Sequence, residues 1–387
     1  MHPDEESWRV AGLLDAPDLP QRLALLAYLT DQGCSLDDML IADGQGRLFA
    51  LAGDRFLSTG TPAYDLSRAA GLLEVPADEV LRIWRALGLP DPVGASLSLP
   101  DVEALRTVID VGRVLGPDAA AGLSRVLGAL MARLAEAESA AMRIGLREVQ
   151  LGVTGSELVT AQAYSHVAAL VPRIGALLDV AHRHHLHVAR RHVEAMDAAA
   201  SLDGALRCGV GFADLSGFTR LAQQASLGSL SQILTRFEET ASDEVHARGG
   251  RVVKFLGDAV MFVAPQPSQL IDIAWQLTVH PRALEAGIAV RAGLSYGSVL
   301  MQDGDYFGPP VNLAARLVAV AEAGQVLVAD GLESALGEDW ETTALPAQLL
   351  RGLDEPVVPY AVRPARSGSA PEVELAHERL AGRDIEC

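Results

Sequence analysis

Arg251-Val-Val-Lys254-Phe-Leu-Gly257-Asp258-Ala-Val-Met-Phe-Val263 decides how the second half of this chain is read. Branched and aromatic residues crowd both flanks of Gly257-Asp258. A turn-forming pair between two such runs predicts two short strands joined by a tight hairpin. The turn lifts a carboxylate, Asp258, to a sheet edge. Four positions earlier stands Lys254, the single lysine of the chain; the other basic residues among the 31 are arginines. A composition that avoids lysine so thoroughly marks Lys254 as a specific contact rather than a generic solvated charge, because a compact ammonium and a flat guanidinium fork are not interchangeable.

Working outward from the hairpin, strand and helix patterns alternate over 207–364. A strand is expected over 208–215, and an amphipathic helix over 227–248 that Gly249-Gly250 stops. A helix over 270–277 and a strand over 287–295 follow. The helix expected over 309–321 opens on two prolines, where a missing N–H does no harm. A strand over 325–329 and closing strands within 340–362 complete an α/β sandwich. Residues 365–387 read as a polar tail.

Residues 1–180 differ. Apolar residues recur at helical spacing over 20–31, 78–89, 100–115 and 118–138, punctuated by Gly and Pro, so an all-helical domain is expected. Within it, 66–75 followed by 80–89 reads either as a helix-turn-helix of the MerR-like sort or as a helical hairpin of a regulatory bundle. The local charge is not basic, which favours the hairpin, since phosphate contacts need Lys or Arg.

Residues 181–206 form a linker rich in histidine: His182, His184, His185, His187 and His192 make five of the ten in the chain. Histidine titrates near neutrality, and crowding by Arg183, Arg190 and Arg191 should disfavour its charged form. A proton-sensitive helix, a metal site and a plain exposed polar helix are all compatible with this stretch.

The 387 residues allow two domains, and a hydrophobic content of 49% lets each bury a core. A net charge of −19 argues against a general nucleic-acid binder but not against a nucleotide substrate. Cys34, Cys208 and Cys387 lack metal or disulfide spacing, which fits a reducing, cytoplasmic setting. The acidic start is unlike a signal peptide, and no apolar run is long enough to span a membrane.

Asp214 ends the strand in Gly211-Phe-Ala-Asp214-Leu-Ser-Gly217-Phe-Thr219. If the hairpin packs beside that strand, Asp214 and Asp258 meet at one sheet edge and suit two Mg²⁺ or Mn²⁺ ions, hard cations that want oxygen ligands. Alone, each Asp is an ordinary turn residue. Asn312 and Arg316, at i and i+4, share one helix face and could address a ribose and a charged phosphate. Gly-Lys-Ser/Thr is absent, because the only lysine precedes Phe255, so a P-loop is excluded. Gly257-Asp258-Ala259 does not match the Gly-Gly-Asp/Glu-Glu-Phe turn of diguanylate cyclases.

Phe212-Ala-Asp214-Leu-Ser-Gly217-Phe-Thr219, Val253-Lys254-Phe-Leu-Gly257-Asp258, Arg291-Ala-Gly-Leu-Ser-Tyr-Gly297 and Asp305-Tyr-Phe-Gly308-Pro-Pro-Val-Asn312-Leu-Ala-Ala-Arg316 together resemble the class III nucleotidyl cyclase catalytic domain. The domain order and the histidine-rich linker resemble mycobacterial soluble adenylyl cyclases with an N-terminal autoinhibitory, pH-responsive domain. The resemblance implies an α+β protein, a helical regulatory domain followed by a ferredoxin-like α/β sandwich. It implies a homodimer that makes cyclic AMP and pyrophosphate from ATP with two Mg²⁺ or Mn²⁺ per active site. By residue, it implies metal binding at Asp214 and Asp258, adenine selection by Lys254 and Asp305, transition-state contacts from Asn312 and Arg316, and a polyphosphate contact from Arg291. It leaves room for a lipid ligand of the helical domain. A DNA-binding regulator whose cyclase-like domain only senses nucleotide is the competing expectation.

Overall fold

The computed structural model describes residues 3–197, 206–280 and 289–365. The chain divides into two compact units, Met1–His184 and His185–Cys387, and the division falls inside one helix, Val171–Asp197. The expected linker therefore opens as the second half of a longer helix. Its end over 198–205 lies outside the described residues, as do the first two residues of the strand expected over 287–295 and the tail over 366–387.

The first unit is helical throughout, with two cores. Trp8, Leu25, Leu26, Leu29, Met39 and Leu48 gather around Ala161, on the helix Glu157–Ala168 that returns from far along the chain. Leu73, Val80, Ile83, Leu97, Val102 and Leu105 form the other. The helix Leu99–Leu115 opens on a capping box in which Ser98 accepts from the amide of Asp101 and Asp101 accepts from the amide of Ser98. These contacts satisfy amides that a helix start leaves free. The stretch read as a helix-turn-helix or a helical hairpin is observed as helices Leu66–Leu73 and Ala77–Ala86, with Glu74 in a left-handed turn between them. Arg85 is forked onto Asp91 at 2.7 and 2.6 Å, and Arg82 reaches Glu79 at 3.7 Å. These guanidinium groups are already met by carboxylates, which weighs against phosphate contacts.

A depression of about 230 Å³ lies between helices Ala77–Ala86, Leu99–Leu115 and Pro117–Gly145, with Glu79, Arg82 and Arg113 in its lining. Pockets for drug-sized ligands run from roughly 300 Å³ upward and are mostly apolar. The depression is smaller than that, so it gives the lipid ligand that the resemblance left open no support. No helix among the described residues is long and apolar enough to cross a membrane.

The second unit is built on a sheet of strands β1 (Leu206–Leu215), β2 (Arg251–Leu256), β3 (Ala259–Ala264), β4 (Val290–Gln302), β5 (Asp305–Phe307), β6 (Val326–Val328), β7 (Trp340–Ala344) and β8 (Tyr360–Pro364). The order is β2-β3-β1-β4-β6-β8-β7, with β5 hairpinned onto the far end of β4; β4–β6 is the parallel pairing. β1 is apolar almost end to end because both its faces are covered. On one face Phe237, Ala241 and Val245 of the helix Leu227–Ala247 and Leu270, Ile273 and Ala274 of the helix Pro267–Val279 meet Phe262, Ala292 and Leu294. On the other, Ala314 and Val318 of the helix Pro309–Val320 and Met196 meet Cys208, Val210, Met261 and Tyr306. This second helix lies so close that a Cβ on Gly293 would come within 2.2 Å of the backbone nitrogen of Val318. Only glycine permits that approach.

β4 is longer than the strand expected from its apolar pattern. Beyond Tyr296 its residues are mostly exposed apart from the buried Val299, and pairing with β1 and β5 keeps the strand extended there.

Candidate active site

Asp214 and Asp258 come together through strand register. Asp214 sits opposite Ala259 of β3, one residue past the hairpin turn, and opposite Arg291 of β4. The amide of Leu215 donates to the carbonyl of Asp258 at 3.1 Å, tying the turn to the end of β1. Gly257 holds φ at +69°, where a Cβ would be strained, so the glycine is what lets the turn present its aspartate. Burial pushes the Asp258 carboxyl above its ordinary range; a bond from its own backbone amide opposes this, the Asp214 charge adds to it, and Arg291 opposes it. Two partly desolvated carboxylates that repel one another fit a divalent cation, which would relieve both effects. No group of three or more His, Cys, Asp or Glu side chains suited to a metal occurs among the described residues. An ion held here would complete its shell with water and substrate oxygens, as Mg²⁺ commonly does. The same observation gives the metal reading of the histidine-rich helix no support.

Arg291 is hydrogen-bonded within the unit. Its Nη2 and Nε donate to Oδ2 of Asp214 at 2.6 and 3.0 Å, and its Nη1 donates to the carbonyls of Ala319 and Ala321 at 3.4 and 3.3 Å. It thus pins Asp214 to the C-terminal end of the helix Pro309–Val320.

Lys254 and Asp305 form the second group. They are far apart in sequence, yet the Lys254 ammonium donates directly to Oδ2 of Asp305, and both are only half-buried. A register shift in β2 between Val252 and Lys254 re-aims the strand there. The amide of Tyr306 donates to Oδ1 of Asp305 at 2.9 Å, which fixes that carboxylate's other oxygen. Asn312 and Arg316 are exposed on one face of the helix Pro309–Val320, and neither side chain is bonded among the described residues. Its other face, through Ala314, Leu317 and Val318, is buried.

The helix Pro309–Val320 separates the two groups. Arg291 and Asp214 lie at its C-terminal end, whereas Asp305 precedes its N-terminal end by a short turn. Twelve residues of helix span about 18 Å.

The profile of the adenylate and guanylate cyclase catalytic domain matches residues 204–363. An uncharacterized protein of Mycobacterium tuberculosis is 48% identical over 92% of this chain and 93% of its own length. An adenylate cyclase of Streptomyces coelicolor is 34% identical over 76% of this chain and 72% of its length. A pH-sensitive adenylate cyclase of M. tuberculosis is 32% identical over 82% and 80%. The chain belongs to the class III adenylate cyclase family.

The cyclase carries one more arrangement that its sequence motifs did not single out. His192 is buried against the second unit's sheet, and its Nε2 has no hydrogen-bond partner; the hydroxyl of Tyr306 is likewise buried and unbonded. Arg251 lies over the Tyr306 ring, 5.9 Å from guanidinium carbon to centroid, and donates to the carbonyl of Gly304 at 3.3 Å. The His192 pKa falls to about 4, through burial first and then the Arg251 charge. For His192 the causes are burial and Arg251 of β2, where the sequence suggested Arg183, Arg190 and Arg191. Helical spacing could have signalled this, since His192, Val193 and Met196 share an inward face.

Proposed function

We propose that this cyclase converts ATP to 3′,5′-cyclic AMP and pyrophosphate at two equivalent sites between the catalytic units of a homodimer. The observation that carries this reading is the separation of the two groups along the helix Pro309–Val320. Neither group alone has both anion-neutralising and base-reading chemistry. The two groups flank opposite ends of that helix, which supports the base and the α-phosphate being met by different chains. A two-fold axis that sets one chain's Asp214 end against its partner's Lys254–Asp305 end completes two sites at once.

Within such a site Lys254 donates to a ring nitrogen of adenine, and Asp305 accepts from the 6-amino group. Guanine presents the opposite pattern and would leave both charges unmatched. Asn312 orients the ribose so that its 3′-oxygen is in line with the α-phosphorus. That oxygen gives up its proton to solvent and forms the new P–O bond as the bond from the α-phosphorus to the oxygen bridging to the β-phosphate breaks, and pyrophosphate leaves with the displaced charge. Arg316 stabilises the charge that accumulates on the α-phosphate oxygens. Asp214 and Asp258 would hold Mg²⁺ or Mn²⁺, which when bound neutralises the triphosphate and lowers the pKa of the attacking hydroxyl. Arg291 keeps Asp214 oriented toward that role. The exposed Asn312 and Arg316 support the reading, because both are free to meet a ligand across an interface.

Control by pH is part of the proposal. The helix that runs on from the first unit ends with an uncharged, buried His192 on the same face of the sheet as Tyr306, whose neighbour is Asp305. Charging His192 would set a second cation near Arg251 and loosen the wall behind the base-reading carboxylate.

Mixing Asp214→Ala with Asn312→Ala tests the shared site. Each variant alone should be inactive. At equal amounts half the dimers are mixed and each retains one intact site of two, so about a quarter of native activity should return. Inactive mixtures whose subunits are shown to exchange would refute the shared site.

A further inference from the structure

We infer that the helix Pro117–Gly145 is a docking surface for a second copy of itself, forming a parallel, in-register coiled coil in the helical unit. The helix is 29 residues long, yet its buried residues, Ala120, Gly122, Ser124 and Gly128, all lie in its first half. From 129 onward no residue is buried. In proteins most helical stability comes from the packing of an apolar face rather than from propensity. Its apolar residues are not scattered. Leu123, Leu127, Leu130, Leu134, Ala137, Ala141 and Ile144 follow one another at alternating steps of four and three, the seam of a left-handed coiled coil over three heptads. The seam lies away from the row Ala120, Ser124 and Gly128 that packs inward. Leu123, Leu127, Leu130 and Ile144 are 54%, 49%, 53% and 82% exposed.

The charges beside the seam point to a second copy as occupant, and to parallel alignment. With Leu127 and Leu134 as one core position and Leu130 as the other, Arg133 and Glu138 fall on opposite flanks, five residues apart. That offset cannot be bridged within one helix, where partners stand three or four apart. It is the offset across which the flanks of two parallel, in-register helices face each other, so two copies form Arg133–Glu138 pairs twice by symmetry. Neither residue has an ion pair among the described residues. Antiparallel copies would bring equivalent flanks together and leave both charges without a complement. Identical layers suit a self-pairing seam: leucine meets leucine, and Ala137 and Ala141 let the backbones approach. This inference rests on the helical unit alone and stands even if the catalytic units do not share a site.

The test uses the full chain with Cys387→Ser, so that the remaining native cysteines, Cys34 and Cys208, are buried. Leu130→Cys places thiols face to face across the two-fold, within the spacing a disulfide needs. Ala132→Cys points outward from the same helix. Both sites are exposed, so neither change endangers folding. Mild oxidation should give covalent dimer for Leu130→Cys and little for Ala132→Cys; equal yields would overturn the inference. In the Leu130→Cys chain, adding Arg133→Glu should lower the yield about tenfold, the order expected when two exposed pairs turn from attraction to repulsion. Adding Glu138→Arg as well should restore it. Failure of the double reversal to recover the yield rules out this register. Because the readout is a bond in the helical unit, it is independent of the Asp214→Ala and Asn312→Ala mixing result.

Discussion

Lowering the pH should release the end of the helix Val171–Asp197 from the sheet of the second unit, with His192 as the cause. In the docked state its pKa is about 4, against an ordinary value of 6.5. Between those values the undocked segment binds a proton that the docked one does not, so docking is favoured by rising pH. The contribution is complete above about 6.5 and is lost as the pH falls toward about 4, below which both states are charged and nothing further is lost. The full gap corresponds to about 3 kcal/mol. Between pH 7 and pH 5.5 the same two values give about 1.2 kcal/mol, an eightfold change in the docking equilibrium. Hydrogen exchange of the full chain, read on peptides covering 188–196 and corrected for the intrinsic pH dependence of exchange, should show protection falling by about that factor. His192→Phe is the control. It keeps a flat ring of similar size and, since Nε2 has no partner, forfeits no hydrogen bond there. The exposed His182, His184, His185 and His187 remain in that variant. If His192→Phe loses protection as steeply as the native chain, or the native chain loses none, the reasoning about His192 is wrong.

The remaining expectations are more local. The pH–rate profile of His192→Phe should be flatter than the native one between pH 5 and 7; superimposable profiles would separate the buried histidine from control of activity. Lys254→Glu combined with Asp305→Cys should shift the ratio of ATP to GTP turnover by at least about tenfold, since the base-reading charges are replaced; an unaltered ratio refutes their role. Gly293→Ala forces the helix Pro309–Val320 off the sheet, because its Cβ would meet backbone at 2.2 Å. Urea unfolding should show a loss of roughly 1–3 kcal/mol in the second unit, and activity should drop because Asn312 and Arg316 ride on that helix. Ser98→Ala removes the side-chain half of a capping box, the bond from the amide of Asp101, while the amide of residue 98 still donates to Asp101. It should destabilise the first unit by about 1 kcal/mol and leave turnover per folded enzyme unchanged.

Several elements of both units could be read along the chain because they are encoded locally, whereas others, such as the helix Glu157–Ala168 and the short strand β5, were not expected. The hairpin β2–β3 follows from branched residues around Gly257-Asp258, the helix Leu227–Ala247 from its apolar period and the Gly249-Gly250 stop, and the helix Pro309–Val320 from its opening prolines. The motif residues were equally legible, since their types and order carry the family resemblance. Their grouping was not. Lys254 and Asp305 lie fifty-one positions apart, and Asp214 and Arg291 seventy-seven. Only strand order and register bring such partners together, and register is a property of the paired strands rather than of either one. The pairing of Arg291 with Asp214 was one such contact, because the two are cross-strand neighbours.

By itself, then, the order of residues determined which segments become helix or strand and which side chains can carry cyclase chemistry, because backbone preference and side-chain type act over a few residues. The tertiary structure alone decided that Arg291 pairs with Asp214, that the two groups stand at opposite ends of one helix, and that His192 is buried beside Arg251. Each of those depends on what packs against a group in space, and desolvation and charge proximity have no local signature in the chain.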